Sequence, residues 1–489
     1  MLLRRLLSAA AAAALMAGGA QPVAAENLRD AIILAYQTNP TLLAQRSQQR
    51  AQDESYVQAR AGLRPQVDGS AGVGYARQWP APLLGSDESN STSATISLSQ
   101  PLYTGGRVAH GIDAAMAGVE RGRENLRTVE QQIMLGVIQA YADVIRDSEV
   151  LRIRDTNLAV LERQLEEANA RFEVGEITRT DVAQAQARLS ASQADLASAR
   201  AQLEISRAAY TAVVGQSPGT LEPLPDLPST PGDFDLALDA ALIANPELRS
   251  AMWSLEAAEA SVAAARSQYL PSAGVSASYG TAGTAEPFGL DDQQTFRAGL
   301  NVSVPLYNAG LTRSQVRQSL EQANTALLGV EGARRNVLQD VASAFAQVLS
   351  TTSSLTASEQ QVRAARIAAE GVRQEAQVGL RTTLDVLNQE LELRNAEIAY
   401  VSSQRNHYVA QALLLAAMGG LEGPDLVGDV PAYNPETNFN RVRRSGGVPW
   451  EYAVEGLDRL ATFPVQPAHD EPNAPIDDQL ANEVIRTAP

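Results

Sequence analysis

The segments Val-Gly-Glu-Ile-Thr-Arg-Thr-Asp at residues 174–181 and Val-Gly-Leu-Arg-Thr-Thr-Leu-Asp at residues 378–385 decide the fold. They lie 204 positions apart and share the pattern Val-Gly-x-x-Thr-x-x-Asp. In each, a glycine that tolerates the left-handed conformation precedes a Thr-x-x-Asp capping box, so one helix is expected to end and another to begin within a few residues. The chain is therefore predicted to contain two helical hairpins.

Further elements recur at nearly the same spacing. Asn39-Pro40 recurs as Asn245-Pro246, Pro101-Leu102-Tyr103 as Pro305-Leu306-Tyr307, and Gly215 as Gly419. A period of about 200 residues is far too long for a solenoid unit and indicates two copies of one large module. We place repeat 1 at 26–218, a linker at 219–234 and repeat 2 at 235–430.

Each repeat contains a long stretch without proline, between Pro101 and Pro218 and between Pro305 and Pro424. Both stretches are rich in good helix formers, and the glycine turns divide each into a helix of about 65–70 residues, ~100 Å long, and a shorter returning helix. A further helix, broken at Asn-Pro, is expected in 27–62 and in 235–268. A seven-residue spacing predicts a coiled-coil seam in each repeat. In repeat 1 it is formed by Val144, Leu151, Leu158, Leu165 and Phe172, with Leu161 and Ala168 between the later ones. In repeat 2 it is formed by Val348, Leu355, Val362, Ala369 and Ala376, with Ala365 and Val372 between.

Four segments of about ten residues alternate between apolar and small polar side chains, and they form two predicted hairpins at about 66–102 and 272–306. This length suits a tilted strand that crosses a bilayer. A half-buried soluble sheet has the same alternation, but the long polar loops 79–90 and 280–294 favour the membrane. Because lipid tolerates no open sheet edge, four transmembrane strands require several chains to share one barrel.

Composition narrows the class of protein. Residues 1–25 have the basic start, apolar run and small-residue end of a cleaved secretory signal. The chain has a net charge of −17 and no cysteine, and all its basic residues are arginine. These features argue against a nucleic-acid partner, a disulfide or an acyl-anchored N-terminus.

Neither an enzyme nor a cofactor is expected. The sequence has no nucleophile elbow, phosphate-binding loop or supported pair of catalytic carboxylates. The three histidines, His110, His407 and His469, show no spacing typical of metal ligands. We therefore predict no catalytic residue and no metal site.

The order of these elements, with Asn-Pro, Pro-Leu-Tyr and Val-Gly followed by Asp-Val in both halves, resembles the TolC family of outer-membrane export ducts over roughly residues 27–430. The resemblance implies an α+β membrane protein. Three chains would form a 12-stranded transmembrane β-barrel, four strands from each chain, continuous with a long periplasmic α-helical coiled-coil tunnel. It also implies a homotrimer in the outer membrane of a Gram-negative bacterium, working with a periplasmic adaptor and an inner-membrane ABC or proton-driven transporter.

The resemblance also assigns a periplasmic gate at the coil tips. Asp385 matches an acidic residue that rings the closed entrance, and Asn388 occupies the place of a second acidic ring. Arg381 matches a basic residue that ties the inner coil to its neighbour, with Thr180 and Asp181 as the partner region. A tethering aromatic residue of the family is replaced here by Ala376.

The turns admit two compatible interpretations. Gly175 and Gly379 end helices, and Thr178 and Thr382 cap the next ones. The same four residues are candidate docking points for an adaptor, because a hairpin can approach closely where no side chain intervenes.

Cargo and class remain open from the sequence. The segment from Tyr433 to Trp450 resembles the tail of type I secretion ducts, which with the absent acyl site favours protein secretion over multidrug efflux. The rest of 431–489 is rich in proline and acidic residues and is expected to be an irregular periplasmic tail. The alternatives are a duct for drug efflux only and, from a different class, a coiled-coil scaffold that forms no channel.

Overall fold

The computed structural model describes residues 26–79, 88–284, 293–426 and 432–460. The predicted signal segment 1–25, most of the two predicted polar loops, His469 and the end of the predicted tail lie outside these ranges. None of the described helices combines the length and the apolar character that a membrane span requires.

The helices follow the same order in both repeats, and each repeat contains one helix of 67 residues. Repeat 1 contains α1 (Leu28–Thr38), α2 (Pro40–Ala61), α3 (Arg107–Glu173) and α4 (Arg179–Val214). Repeat 2 contains α5 (Phe234–Ala244), α6 (Pro246–Arg266), a 3-10 turn (Ser267–Tyr269), α7 (Leu311–Gln377) and α8 (Thr383–Ala417). The short helices α9 (Gly423–Leu426), α10 (Pro435–Val442) and α11 (Glu451–Asp458) follow.

The four strands form one antiparallel sheet in the order β1-β2-β3-β4. They are β1 (Gln66–Arg77), β2 (Glu88–Tyr103), β3 (Ser272–Thr284) and β4 (Gln293–Ser303). The two repeats thus meet along the β2–β3 pair, where both strands contribute long runs of hydrogen-bonded partners. In repeat 1 the Pro-Leu-Tyr element lies inside β2, whereas β4 ends before its counterpart.

The strand register places the apolar side chains of all four strands on one face of the sheet. Val67 pairs with Leu98, Leu98 with Ala277 and Ala277 with Ala298. The next row on the opposite face is polar and consists of Asp68, Ser97, Ser278 and Arg297. The predicted alternation is therefore confirmed, and all four strands direct their apolar side chains to the same face of the sheet.

The Asn-Pro elements connect the beginning of each repeat to its end. Asn39 Nδ2 donates to the backbone oxygen of Val213 at 2.9 Å, and Asn245 Nδ2 donates to that of Ala417 at 3.0 Å. Gly215 and Gly419 follow these helix ends with φ values of +97° and +82°, a conformation that favours glycine. The recurrence of asparagine and glycine in the sequence thus reflects one interaction that is formed twice.

Contacts divide the described residues into two compact units. The first unit comprises the described residues within Met1–Ala44, Arg127–Asn245 and Val337–Ala432. The second unit comprises the described residues within Gln45–Leu126, Pro246–Asn336 and Tyr433–Pro489. The first contains both glycine turns, with Tyr141 and Tyr210 among its fully buried side chains. The second contains the sheet.

The seam of the first coiled coil agrees with the prediction in part, and Val144 is buried as expected. Phe172 is exposed and Leu158 and Leu165 are only half-buried, whereas Leu161 and Ala168 are buried. The buried line also contains Asn157, whose Nδ2 donates to Ser192 Oγ at 3.2 Å. A seven-residue spacing read from apolar residues alone does not detect seam positions that polar residues occupy. This explains why Asn157 was not predicted.

The seam of repeat 2 is corrected in the same way. Of the predicted residues Ala365 and Ala369 are buried, whereas Val348, Leu355, Val362, Val372 and Ala376 are partly exposed. Thr351 and Ser358, which were not predicted, are buried at a seven-residue spacing from Ala365. Small hydroxyl side chains satisfy their polar atoms on their own helix, as Thr351 does on the oxygen of Gln347 at 2.8 Å, and so they tolerate the seam.

The C-terminal segment is also more ordered than expected. Its helices α10 and α11 pack on the second unit, where the ring of Phe439 lies 5.2 Å from that of Tyr56. Glu451 Oε1 lies 2.9 Å from Arg60 Nε and 3.2 Å from Arg64 Nε. Because Glu451 begins a helix and has specific partners, the expectation of an irregular tail is wrong for 451–458.

Candidate functional site at the coil tips

The two glycine turns have nearly the same geometry. Gly175 and Gly379 have φ values of +77° and +78°, in the left-handed region where a side chain would be strained. Building a Cβ atom on either glycine meets no atom within 4 Å. Glycine is therefore needed at both tips for backbone conformation and not for internal packing.

Both predicted capping boxes are present. In repeat 1, Asp181 N donates to Thr178 Oγ1 at 3.3 Å, and Asp181 Oδ2 accepts from Thr178 N at 2.8 Å and from Thr178 Oγ1 at 2.7 Å. In repeat 2, the corresponding distances between Asp385 and Thr382 are 3.2, 3.0 and 2.8 Å. Each aspartate is thus fixed to its own turn.

These hydrogen bonds act on the charge of the tips. The pKa of Asp181 is lowered, first by the Thr178 hydroxyl and then by its backbone N–H. The pKa of Asp385 is lowered first by the Thr382 backbone N–H and then by the hydroxyl. Both carboxylates remain ionised in neutral solution, so each chain places two negative charges at its tips.

Exposed apolar side chains surround the glycines. Val174 and Val378 each expose more than two thirds of their surface, and Leu380 is similarly exposed. Exposed apolar groups beside residues without side chains are typical of a surface that another protein covers. The four candidate docking residues, Gly175, Gly379, Thr178 and Thr382, lie within this surface.

Arg381 contacts its own hairpin. Its Nε lies 2.7 Å from Glu375 Oε2, and this pairing raises the pKa of the guanidinium. Within one chain the structure does not bring Arg381 to Thr180 or Asp181, the partner region that the resemblance implies. Among the described residues of a single chain, the expected contact between the two coils is therefore not formed there.

The two coils meet instead at Asn388, a predicted gate residue, and at Leu387, which the sequence analysis did not single out. Asn388, in α8, accepts a hydrogen bond from Arg188 Nη2, in α4, at 2.9 Å. The preceding residue, Leu387, is 3% exposed and packs with Leu161 and Leu189 of the first coil. The sequence held one indication of this contact. Repeat 1 has the small Ala183 at the position that Leu387 occupies in repeat 2, so the side chains of the two repeats differ in size there.

A buried carboxylate lies one turn further along α8. Glu390 is 2% exposed and forms an ion pair with Arg373 of α7. Its second oxygen lies 3.6 Å from Arg394 Nη2. Charged pairs at core positions of a coiled coil specify register more than they stabilise. The sequence analysis did not single out these residues.

Across the described ranges, no group of three or more His, Cys, Asp or Glu side chains is arranged to hold a metal ion. The pKa of His407 is lowered by burial, and its Nδ1 lies 3.4 Å from Thr351 Oγ1. The tip residues described above interact through ion pairs, hydrogen bonds and apolar contacts.

Comparison with known proteins identifies one family. The family described as "Outer membrane efflux protein" matches residues 31–216 and 237–420, which follow the two repeats. The chain is 34% identical to the outer membrane efflux protein BepC of Brucella suis over 86% of this chain and 92% of that protein. It is 30% identical to the outer membrane protein TolC of Vibrio cholerae, over 83% and 93%.

A third relative and a solved structure extend the comparison. The alkaline protease secretion protein AprF of Pseudomonas aeruginosa is 26% identical over 82% of this chain and 86% of its own length. The crystal structure of the Campylobacter jejuni CmeC outer membrane channel superimposes with a TM-score of 0.72 at 16% identity, over 86% of this chain and 89% of that one. The fold class expected from the sequence is confirmed.

Proposed function

The chain belongs to the outer membrane efflux protein family, and from that premise we propose that three copies assemble into a passive exit duct supplied by an inner-membrane transporter through a periplasmic adaptor. The protein is an export duct of the Gram-negative outer membrane with a large periplasmic portion. Its relatives are channel and efflux proteins and not enzymes. The energy for transport is then supplied by the transporter.

The observation that carries the proposal is the apolar face of the sheet. Val73, Phe296 and Leu300 each expose about two thirds or more of their surface in the single chain. A soluble protein would bury such a row, whereas a lipid bilayer covers it without cost. The opposite face carries polar side chains, among them Asp68, Ser97, Ser278 and Arg297, as the wall of a water-filled lumen requires.

The sheet order supports a shared barrel. β1 and β4 are its outer strands, and each has one edge without a partner strand in the described part of the chain. Unpaired backbone groups in lipid cost several kcal/mol each. β4 of one copy and β1 of the next would run antiparallel, so copies can join edge to edge, and three of them supply twelve strands.

The tips support a gate at the periplasmic end. We assign to it Asp385, Asn388 and Arg381, together with Asp181 and Thr180 of the other coil. Three copies place the ionised Asp385 side chains near one axis, where like charges repel and favour separation. The contacts between coils oppose this repulsion, and an adaptor that binds the exposed tip surface would shift the balance towards the open state.

Two classes of cargo are consistent with the relatives. AprF is named for alkaline protease secretion and BepC for efflux. Deleting the gene and comparing secreted proteins with sensitivity to toxic compounds separates them. Loss of a secreted protein would assign type I secretion, and increased drug sensitivity alone would assign efflux.

The duct itself is tested in planar bilayers. Purified protein should insert from detergent and form ion-conducting channels, with a reversal potential that shows preference for cations because of the negative charge of the chain. Protein that inserts but never conducts would contradict the proposal. The expected preference for cations assumes that acidic residues line the lumen. If the channels prefer anions, only that assumption is rejected.

A further inference from the structure

We propose that Leu387 is the latch residue of each chain: its seat between two leucines of the first coil holds the second coil in the closed position. The inference rests on the proposed gate, and it identifies which contact resists opening. Leu387 and Leu189 were assigned no role by the sequence pattern, whereas Leu161 was expected in the coiled-coil seam and Asn388 in the gate. We call Leu387, Leu161 and Leu189 the leucine seat.

The leucine seat is the apolar part of the contact between the coils. Leu387 projects from the second turn of α8, while Leu161 belongs to α3 and Leu189 to α4. All three are buried, and Leu158 and Leu165 pack around them. One side chain of the second coil thus inserts between both helices of the first coil, so the second coil cannot swing away while the seat is filled.

A polar contact lies beside the seat and fixes its orientation. Asn388 follows Leu387, and Arg188 precedes Leu189, so the 2.9 Å hydrogen bond between Arg188 and Asn388 joins the same two helices. Asn388 is exposed and Arg188 is only half-buried, so this bond alone contributes little. Together the two adjacent contacts fix the rotational orientation of α8 about its helix axis, so that Leu387 is directed into the first coil.

The turns themselves do not provide this attachment within a chain. Asp181 and Asp385 are bound in their own capping boxes, and Arg381 is paired with Glu375 on its own hairpin. Ala376 has no side chain long enough to reach another coil. Among the described residues, α4 and α8 are instead joined by the packing of Leu387 with Leu189 and by the hydrogen bond between Arg188 and Asn388.

An apolar latch has a physical signature that distinguishes it from a latch made of ions. Salt screens exposed charges within a Debye length that shrinks from ~10 Å at about 0.1 M to ~3 Å at about 1 M. Leucine packing is not weakened by such screening. A gate held by the leucine seat should stay closed at high salt, whereas a gate held by Arg381 should loosen.

The test compares Leu387→Ala with Leu384→Ala in planar bilayers at both salt concentrations. Leu384 lies one turn earlier on α8 and is 40% exposed, so it is a matched control. We expect Leu387→Ala to raise the ratio of open to closed channels by about tenfold or more, equivalent to ~1.4 kcal/mol, to a similar extent at both salt concentrations. Leu384→Ala should leave the ratio unchanged. An equal effect of the two variants, or no effect of Leu387→Ala, would overturn the latch.

A third variant separates gating from loss of coil stability. Leu393 is buried among Ala365, Ala369 and Ala396 inside the second coil. Leu393→Ala should lower the melting temperature as much as Leu387→Ala but should not open the channel. If Leu393→Ala opens it equally, the effect of Leu387→Ala is general loosening, and the latch is rejected.

The absence of cysteine allows a direct test of the closed contact. In the double variant Arg188→Cys and Asn388→Cys, a bis-methanethiosulfonate cross-linker long enough to replace the arginine side chain should hold the coils together, and it should abolish opening until a reductant is added. Normal opening by the cross-linked protein would overturn the inference. If the wild-type protein shows no conductance at all, both the proposed function and the latch are refuted. If the channels conduct but the cross-link does not affect their opening, only the latch is refuted.

Discussion

Asp458 accepts hydrogen bonds from Thr104, 354 residues earlier in the chain, with the Thr104 hydroxyl 2.9 Å from each of the two carboxylate oxygens. The same carboxylate accepts from the backbone N–H groups of Gly106 and Ala109, each at 3.2 Å. Asp458 is completely buried. A residue of α11 therefore caps the start of α3, directly after strand β2, where a negative charge also meets the positive end of the helix dipole.

Replacing Asp458 by Ala should loosen this junction. It leaves several buried donors without an acceptor, at a cost of about 3 kcal/mol or more. Hydrogen exchange of the amides of residues 104–109 should accelerate by roughly a hundredfold. The control is Asp113→Asn, which removes a half-exposed partner of Arg459 and should change little. Unchanged exchange in Asp458→Ala would show that the cap does not stabilise the junction.

The tips should respond to acid through their capping boxes. The folded pKa values of Asp181 and Asp385 are lowered, so their contribution to stability is complete above the ordinary carboxyl pKa of about 4. It is lost as the pH falls through the lower folded values. Hydrogen exchange at 174–182 and 378–386, corrected for intrinsic rates, should therefore be constant from pH 7 to pH 5 and increase only below about pH 4.

The variant Asp385→Asn supplies the matching control. It should loosen residues 378–386 already at neutral pH while leaving 174–182 unchanged, because each box lies in its own turn. Acceleration at both turns, or at neither, would contradict separate capping.

Glu390 should be needed for the stability of the second coil. Glu390→Ala leaves Arg394 and the head group of Arg373 without their buried carboxylate partner. Because Arg373 is partly exposed, we expect a loss of about 2–3 kcal/mol, below the 3–5 kcal/mol of a fully buried pair. Thermal melting followed by circular dichroism measures it. Glu370→Ala, which removes an exposed partner of the same arginine, should cost less than about 1 kcal/mol.

Tyr210 anchors the beginning of the described chain. Its hydroxyl donates to Glu26 Oε1 at 2.6 Å, and its pKa is raised, first by burial, so it remains a neutral donor. Tyr210→Phe removes a hydrogen bond to a charged group, worth about 1.5–3 kcal/mol. Proteolysis near residues 216–222, which Glu26 also contacts, should accelerate. Tyr400→Phe, where an exposed hydroxyl accepts from Gln404, should have no such effect.

Much of the fold could be predicted from local patterns. The alternation of strands, the glycine turns and the breaks at Asn39-Pro40 and Asn245-Pro246 each depend on residues close in sequence, where stereochemistry is decisive. The long helices follow from the absence of proline. These features recur in both repeats, so each prediction was supported twice by the same chain.

The rest depends on contacts between distant residues. The polar seam positions such as Asn157 become acceptable only because Ser192 lies opposite. The order of α10 and α11 depends on partners nearly 400 residues away, such as Arg60. Leu387 resembles any other helix leucine until its position against Leu161 and Leu189 is known. Periodicity describes one helix at a time and cannot supply such pairings.

The central claim is that a four-stranded sheet in each chain is completed by other copies within the membrane. Native mass spectrometry of the detergent-purified protein, without cross-linking, tests it most directly. The account predicts a particle with the mass of three chains that persists on dilution. A particle with the mass of a single chain, under conditions that keep it folded, would contradict the account.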